Sequence, residues 1–371
     1  MDLEFKPDFE DVRRRWAAFW QGKRLDRPVV AITVLKEGRE PVAKPVYTSG
    51  ADGNFGPVID QLLVWANSYY FLGDYIPFHY LEFGPDHFSS LLGADLAFHP
   101  DSPNTSWCVP FVRDWDDADI RFRPDSFWWS RTREFIRELR RRCDGKLLIA
   151  APTLVSGLDC LAAIRGQEAL LLDVATVPDK IHRVLGLVNA AYRDILDALA
   201  RELDYAGLGS ITRHAMYSPG RISVPQCDFS CMISPAMFRE FEVPCLLHET
   251  SLLDAAEYHL DGPGALRHLP ALAQVPGIGV IQWQPGAGEA ATGDWSELYR
   301  TIDGLGKGLI LSGEKDRCRA WWENLSSRKL FFGIPASDRR EADRILLEME
   351  SWKKMARWTC GGKEDVHRKR K

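Results

Sequence analysis

Several things are missing from this 371-residue chain, and each absence narrows its role. None of its eight cysteines forms a Cys-x-x-Cys pair. Cys227 and Cys231 stand four apart with no matching second pair, which argues against a structural zinc module or a disulfide framework. Thiols scattered in this way are expected of a reduced, cytoplasmic protein. The opening residues, MDLEFKPDFEDVRRRW, are charged and carry no apolar signal core. No apolar run approaches the roughly 20 residues that span a bilayer. Nucleotide signatures are absent too: no G-x-G-x-x-G follows an early strand, and no G-x-x-x-x-G-K-S/T occurs. The formal net charge is -5, with no long basic patch in the body of the chain, so nucleic acid is not an expected partner.

What is present is a regular alternation of short apolar strands with helices. Asp8 to Gln21 reads as an amphipathic helix, with Phe9, Val12, Trp16, Phe19 and Trp20 on one side. Eight segments read as strands: VVAITVL, YLEFG or DLAFHP, LLIAAPT, SITRHAMY, AAEYHL, GVIQW, LILSG and LFFGI. Helical patterns separate them, among them Lys180–Glu202 with its stripe of Ile181, Leu185, Val188, Tyr192, Ile195 and Leu199. Eight strands alternating with helices predict an α/β fold, a (β/α)8 TIM barrel, as one domain over residues 1–355 with a helical lead-in. Lys36–Phe55 is rich in Gly, Pro and polar residues and reads as a long lid-like loop. Residues 356–371 read as a disordered basic tail. Thirteen tryptophans fit either core and lid packing or a pocket for a large planar ligand.

In a barrel of this kind chemistry gathers at the C-terminal strand ends. AAEYHLDG ends in His259 and Asp261, two apart and so on one strand face. Together they suit acid–base work or metal ligation, or else a hydrogen bond that ties down the loop before Gly262. GIGVIQWQPG ends in Gln282, Trp283 and Gln284, and the two amides share a face suited to polar ligand edges. Arg213 and His214 lie in SITRHAMY; as strand neighbours only one of them is expected to reach the pocket. Arg213 there would bind a carboxylate, and His214 would move a proton or simply pack. Asp228, in QCDFS, either points into the pocket or caps a turn. Glu314, in LILSGE, is a further polar group at a strand end, either facing substrate or simply exposed. Asp159 and Arg165 could pair on the substrate side or on a helix surface.

The order of motifs from about Tyr80 to Trp352 resembles the uroporphyrinogen decarboxylase superfamily. The matching stretches are FGPDHFSSLLGADL, SGLDCLAAIRG, QCDFSCMISPAMFREFEVP, YHLDGPGALRHL and IQWQPGAG. The resemblance implies a TIM barrel with a deep cleft. It also implies one of two activities: decarboxylation of a porphyrinogen, or zinc-dependent methyl transfer from a corrinoid carried by a partner protein. For the decarboxylase, the loop VVAITVLKEGREPVAKP offers only Arg39 where an Arg-rich grip on substrate carboxylates belongs. For the methyltransferase, the His-x-Cys of the fifth strand is His259-Leu260-Asp261 here, and KLFFGIPASD has no Cys. The expectation is therefore corrinoid-linked methyl transfer or demethylation of a small molecule. His259 and Asp261 would be an acid–base pair or weak ligands for zinc, and His214, Asp228, Gln282 and Gln284 would position the substrate. A decarboxylase, or a non-catalytic barrel that binds a tetrapyrrole or another small ligand, are the alternatives.

Overall fold

A computed structural model describes residues 2–102 and 104–354; the expected basic tail, 356–371, lies outside the described residues. Its strands are β1 (Val29–Leu35), β2 (Tyr69–Gly73), β3 (Phe78–Tyr80), β4 (Leu96–Ala97), β5 (Trp107–Cys108), β6 (Leu148–Ala150), β7 (Ser210–Ile211), β8 (Tyr217–Ser218), β9 (Ile222–Ser223), β10 (Ala255–Asp261), β11 (Val280–Gln284), β12 (Gly308–Ser312) and β13 (Leu330–Gly333). The fold is mixed α/β around a seven-stranded sheet of order β2-β1-β13-β12-β11-β10-β9. All its neighbours are parallel except the β1–β2 pair. A separate parallel ladder joins β3 to β6.

Among the described residues no ladder joins β2 to β3, or β6 to the large sheet, so the eight-strand ring expected from the sequence is not closed by hydrogen bonds. Two local features account for this. After β1 the chain returns antiparallel as β2, pairing Ala31 with Gly73 through Leu35 with Tyr69, and so fills the edge of β1 that a parallel neighbour would need. SITRHAMY, expected as one strand, is instead the β7–β8 hairpin. Thr212 and Met216 close its turn through a backbone hydrogen bond of 2.9 Å, and Ala215 takes the left-handed conformation at φ 64°. DLAFHP likewise contributes only β4, paired with β5 and not with the main sheet. No helix among the described residues is long and apolar enough to cross a membrane.

Along the face that carries the site, the strands begin apolar. Val29, Phe78, Leu148, Ile222, Ala255, Val280 and Phe331 form one buried cluster with Phe9, Trp16 and Phe19 of the helix Phe9–Trp20. That helix buries Phe9, Val12, Trp16 and Phe19 of the stripe read from the sequence, leaves Trp20 half-buried, and covers the N-terminal strand ends. Each large side chain so buried contributes about 1.5–3 kcal/mol. The opposite strand ends are thereby left to polar residues.

A buried charge fastens this helix. Asp74, fully buried just after β2, accepts from Arg15 Nε and Arg27 Nη1 at 2.6 Å each and from the Val30 amide at 2.9 Å. Its own carbonyl accepts from Trp16 Nε1 at 3.0 Å. Removing one partner of a buried ion pair leaves the other uncompensated. Asp74→Ala is expected to lower unfolding free energy by about 3–5 kcal/mol in urea denaturation; a loss under about 1 kcal/mol would show that the network is dispensable.

Among the described residues, no ion pair reaches two buried acids, Glu242 and Glu249. Glu249 accepts from Ser156 Oγ, and Glu242 accepts from the Leu158 amide at 2.9 Å. Burial pushes Glu249 up to about 8, so the folded chain keeps this proton where the unfolded chain has lost it. The unfolded carboxyl titrates near 4.5, so the carboxyl costs stability increasingly as pH rises from there to about 8. The limiting slope is about 1.4 kcal/mol per pH unit. Glu249→Gln is expected to gain stability relative to the native chain between pH 5 and 8. An identical difference at both pH values in paired denaturation curves would contradict this.

Candidate functional site

The site grows from the alternation within β10. Glu257, His259 and Asp261 share one face, while Tyr258 and Leu260 are buried on the other. Parallel pairing with β11 sets His259 beside Gln282 and Asp261 beside Gln284. His259 Nδ1 donates to Gln282 Oε1, and Gln282 Nε2 donates to the Trp283 carbonyl at 3.0 Å, which fixes the amide's orientation. The imidazole is held with Nε2 as its remaining lone pair.

Asp228 reaches the same place from another direction. The chain before it runs beside β10, where Gln226 bridges His259 and the Pro225 carbonyl accepts the His259 amide at 3.0 Å. Asp228 then opens a tight 3-10 turn, Asp228–Met232. Asp159, in the first turn of the helix Gly157–Arg165, accepts the amides of Asp228 and Phe229 at 2.8 Å each. As a result Asp228, His259 and Asp261 each offer a donor atom, all within 4.8 Å of one another.

Arg213 and His214 both join this centre, contrary to the expectation that only one would. They sit on the hairpin turn and not on a strand, so the two-residue alternation does not apply. Arg213 donates from Nη2 to Gln226 Oε1 at 2.8 Å, from Nη1 to Thr153 Oγ1 at 3.1 Å and from Nε to His214 Nε2 at 3.3 Å. Because His214 accepts at Nε2, its hydrogen lies on Nδ1, which faces the buried Glu257 carboxylate at 3.2 Å. Thr212 Oγ1 holds the other oxygen of Glu257. The His214 and His259 rings stack at 5.7 Å.

The electrostatics are those of crowded acids around one guanidinium. Water reaches Asp228, yet protein surrounds most of it; this desolvation, then the charges of Asp159 and Asp261, push its carboxyl up to about 7. Burial also raises Asp159 and Asp261, and it lifts Glu82 to about 7 although Glu82 accepts the Thr153 amide at 2.9 Å. Arg213 draws Glu82, Asp228 and Asp261 back down. Burial, then Arg213, lowers His259 to about 4.

Some expected residues are not brought here. Trp283 lies on the opposite face of β11, buried against Trp295 with ring centroids 5.0 Å apart, and so packs in the core. Glu314 precedes the helix Lys315–Asn324 and lines a separate hollow with Glu341, Arg344 and Glu348. Asp159 and Arg165 do not pair; Arg165 bonds Asp173 at 2.8 Å. Residues missed from the sequence are Thr153, Gln226, Glu257 and Asp159 in its role behind Asp228. Glu257 was legible, since E-Y-H-L-D repeats an ionisable residue at every second position.

One imidazole and two carboxylates form a hard, oxygen-rich donor set that fits a divalent cation. Two observations support the fit: the imidazole is oriented through its second nitrogen, and the Asp228 carboxyl holds a proton close to neutrality that a cation would replace. The sulfur ligands of a zinc thiolate centre are absent from the three converging residues.

No family model matches the chain, and no curated protein matches it. In fold it is similar to a solved methyltransferase from Methanosarcina mazei, with a TM-score of 0.56 at 12% sequence identity. The likeness covers 92% of this chain and 98% of that one.

The His259 environment has a direct spectroscopic consequence. In chelator-treated protein the imidazole should remain neutral, with its hydrogen on Nδ1, from pH 8 down to 5, because its midpoint lies at about 4. Nitrogen-15 NMR of labelled histidine reads this, with His259→Gln for assignment. A midpoint near 6.5 would contradict the described burial.

Proposed function

We propose that the chain is a methyl-transfer enzyme related to the uroporphyrinogen decarboxylase superfamily, on a fold of TIM-barrel type. The observation that carries the reading is the convergence of Asp228, His259 and Asp261 at the C-terminal strand ends of a chain with a methyltransferase-like fold. The methyl donor would be a corrinoid carried by a partner protein, and the acceptor a small molecule whose nucleophilic atom gives up a proton.

Asp228, His259 and Asp261 would hold a divalent cation, zinc or a harder ion, at this centre. When bound, that cation supplies Lewis acidity that lowers the acceptor's pKa. Gln282 keeps the imidazole turned toward the centre, and Asp159 keeps Asp228 in place through the two backbone amides. His214, oriented by Glu257, is the group suited to take the acceptor's proton at Nε2, the nitrogen that Arg213 Nε occupies until substrate draws the guanidinium away. Arg213 and the Gln284 amide position the polar end of the substrate.

One observation favours a second reading, decarboxylation. Arg213 offers a carboxylate-binding guanidinium near Asp228, whose carboxyl retains a proton close to neutrality and could protonate the carbanion left when carbon dioxide departs.

The two readings separate in one set of measurements. Calorimetric titration of chelator-treated protein with zinc and with manganese should show one site. His259→Ala and Asp261→Ala should each weaken it more than tenfold, and Gln282→Leu about 10–100-fold. With methylcobalamin and a panel of thiol and amine acceptors, His259→Ala should slow demethylation at least 100-fold. Unchanged turnover in that variant removes His259 from the reaction. Carbon dioxide release from uroporphyrinogen or a smaller carboxylate, abolished by Arg213→Gln, would replace methyl transfer with the second reading. Ligand binding with no turnover of either kind would make the chain a binding protein.

A further inference from the structure

Away from the central site the molecule has a second cavity, of about 710 Å3. Its walls come from the loop after β1, the segment from β4 that carries Leu96 and Phe98, and the start of the helix Phe127–Cys143, and none of the central residues lines it. One wall is aromatic: Phe98, Phe127 and Trp128, with Phe98 6.1 Å and Phe127 5.0 Å from the Trp128 ring. The facing wall is loop backbone and small polar side chains from Thr48 to Asn54. A cavity this large, apolar on one side and sparsely polar on the other, has the dimensions of a small-molecule site.

Arg131 sets the chemistry at its base. The guanidinium lies 5.1 Å from the Phe127 ring and 5.9 Å from the Phe55 ring, and its side chain is mostly buried. Nη1 donates to the Ala51 carbonyl at 3.3 Å. The acid beside it is Glu134, on its own helix, at 3.8 Å and largely exposed, which makes a weak pair. Asp52 also lines the cavity, but its carboxylate accepts the Asn54 amide at 3.0 Å and so is tied into the loop's own turn. The loop is shaped around the guanidinium: a Cβ on Gly53 would fall 1.9 Å from Arg131 Nη1, and Gly53 has φ 87°. Phe98 and Phe127, both set against the Trp128 ring, are 42% and 61% exposed, an unusual cost for large apolar side chains that line one cavity.

We propose that this cavity binds a small aryl acid, a flat apolar body with one anionic head. The rings of Phe98, Phe127 and Trp128 cover the body, and the free edge of the Arg131 guanidinium takes the carboxylate or sulfonate. The assignment stands apart from the methyl-transfer reading, because it uses none of the same residues.

Two probes test it: 8-anilino-1-naphthalenesulfonate, and N-phenyl-1-naphthylamine, which has the same rings without the acid. Fluorescence titration of the full chain should show saturable binding of the sulfonate at one site. Arg131→Gln should weaken the sulfonate about tenfold and leave the amine within about twofold. Phe98→Ser should weaken both about tenfold or more. Phe98 is exposed enough for that substitution to leave the fold intact, and circular dichroism and the melting temperature check both variants. Sulfonate affinity unchanged by both substitutions, or no saturable binding by the native chain, overturns the proposal. Equal weakening of both probes by Arg131→Gln overturns the role of the anionic head.

Discussion

More carboxyl groups converge at the end of β10 than the neighbouring cations neutralise, and the rest of the site follows from that constraint. Glu82, Asp228 and Asp261 share the field of one guanidinium, Arg213, and Asp159 adds its charge beside Asp228. In a poorly solvated setting they cannot all be charged at once, so Asp228 and Glu82 hold protons near neutrality. Arg213 is bound by the neutral acceptors Thr153, Gln226 and His214, and its charge acts on the acids through space. Its field, added to burial, keeps His259 uncharged and therefore able to offer a lone pair. A chain without an added cation holds this arrangement at a cost. A positive charge arriving between Asp228 and Asp261 relieves it.

The fold holds such a centre because polar and apolar demands are separated along the same strands. Ala255 packs against the N-terminal helix, and Glu257, His259 and Asp261 follow it upward on one face. Asp74 ties that helix to β1 with charge where the site end of the sheet cannot. Near the centre the orienting bonds come largely from backbone: the Pro225 carbonyl to His259, the Trp283 carbonyl to Gln282, and two amides to Asp159. Backbone partners lose little freedom when they bind, so the side chains are placed before any substrate arrives.

Much of this was readable from local pattern. The alternation in AAEYHLD and QWQ located the strand ends, and two-residue periodicity put His259 with Asp261 and Gln282 with Gln284. The same periodicity sends Trp283 to the opposite face, where it packs against Trp295. SITRHAMY departs from its pattern. Its composition is strand-like, but Ala215 adopts a left-handed turn that alanine does not advertise, and Arg213 and His214 go to the same side. Asp228 joins the centre through Asp159, 69 residues away in sequence, and no local signal reports such a contact. Closure of the sheet was equally out of reach, because it turned on β2 folding back against β1.

The His-x-Asp at the end of β10 bears on what chemistry the centre can support. A thiolate donates charge strongly to a bound metal and leaves it a mild Lewis acid that releases thiolates readily. Carboxylates and one imidazole leave more of the cation's charge uncompensated and prefer oxygen or nitrogen partners. Loading such a site also displaces protons from carboxyls as crowded as Asp228, so cation affinity and acidity are one linked equilibrium here. A centre of this kind would hold a cation more weakly at low pH and would act on harder nucleophiles than a thiolate site does. That difference in hardness, more than any change in the architecture around it, is what would set this centre apart from a zinc thiolate centre.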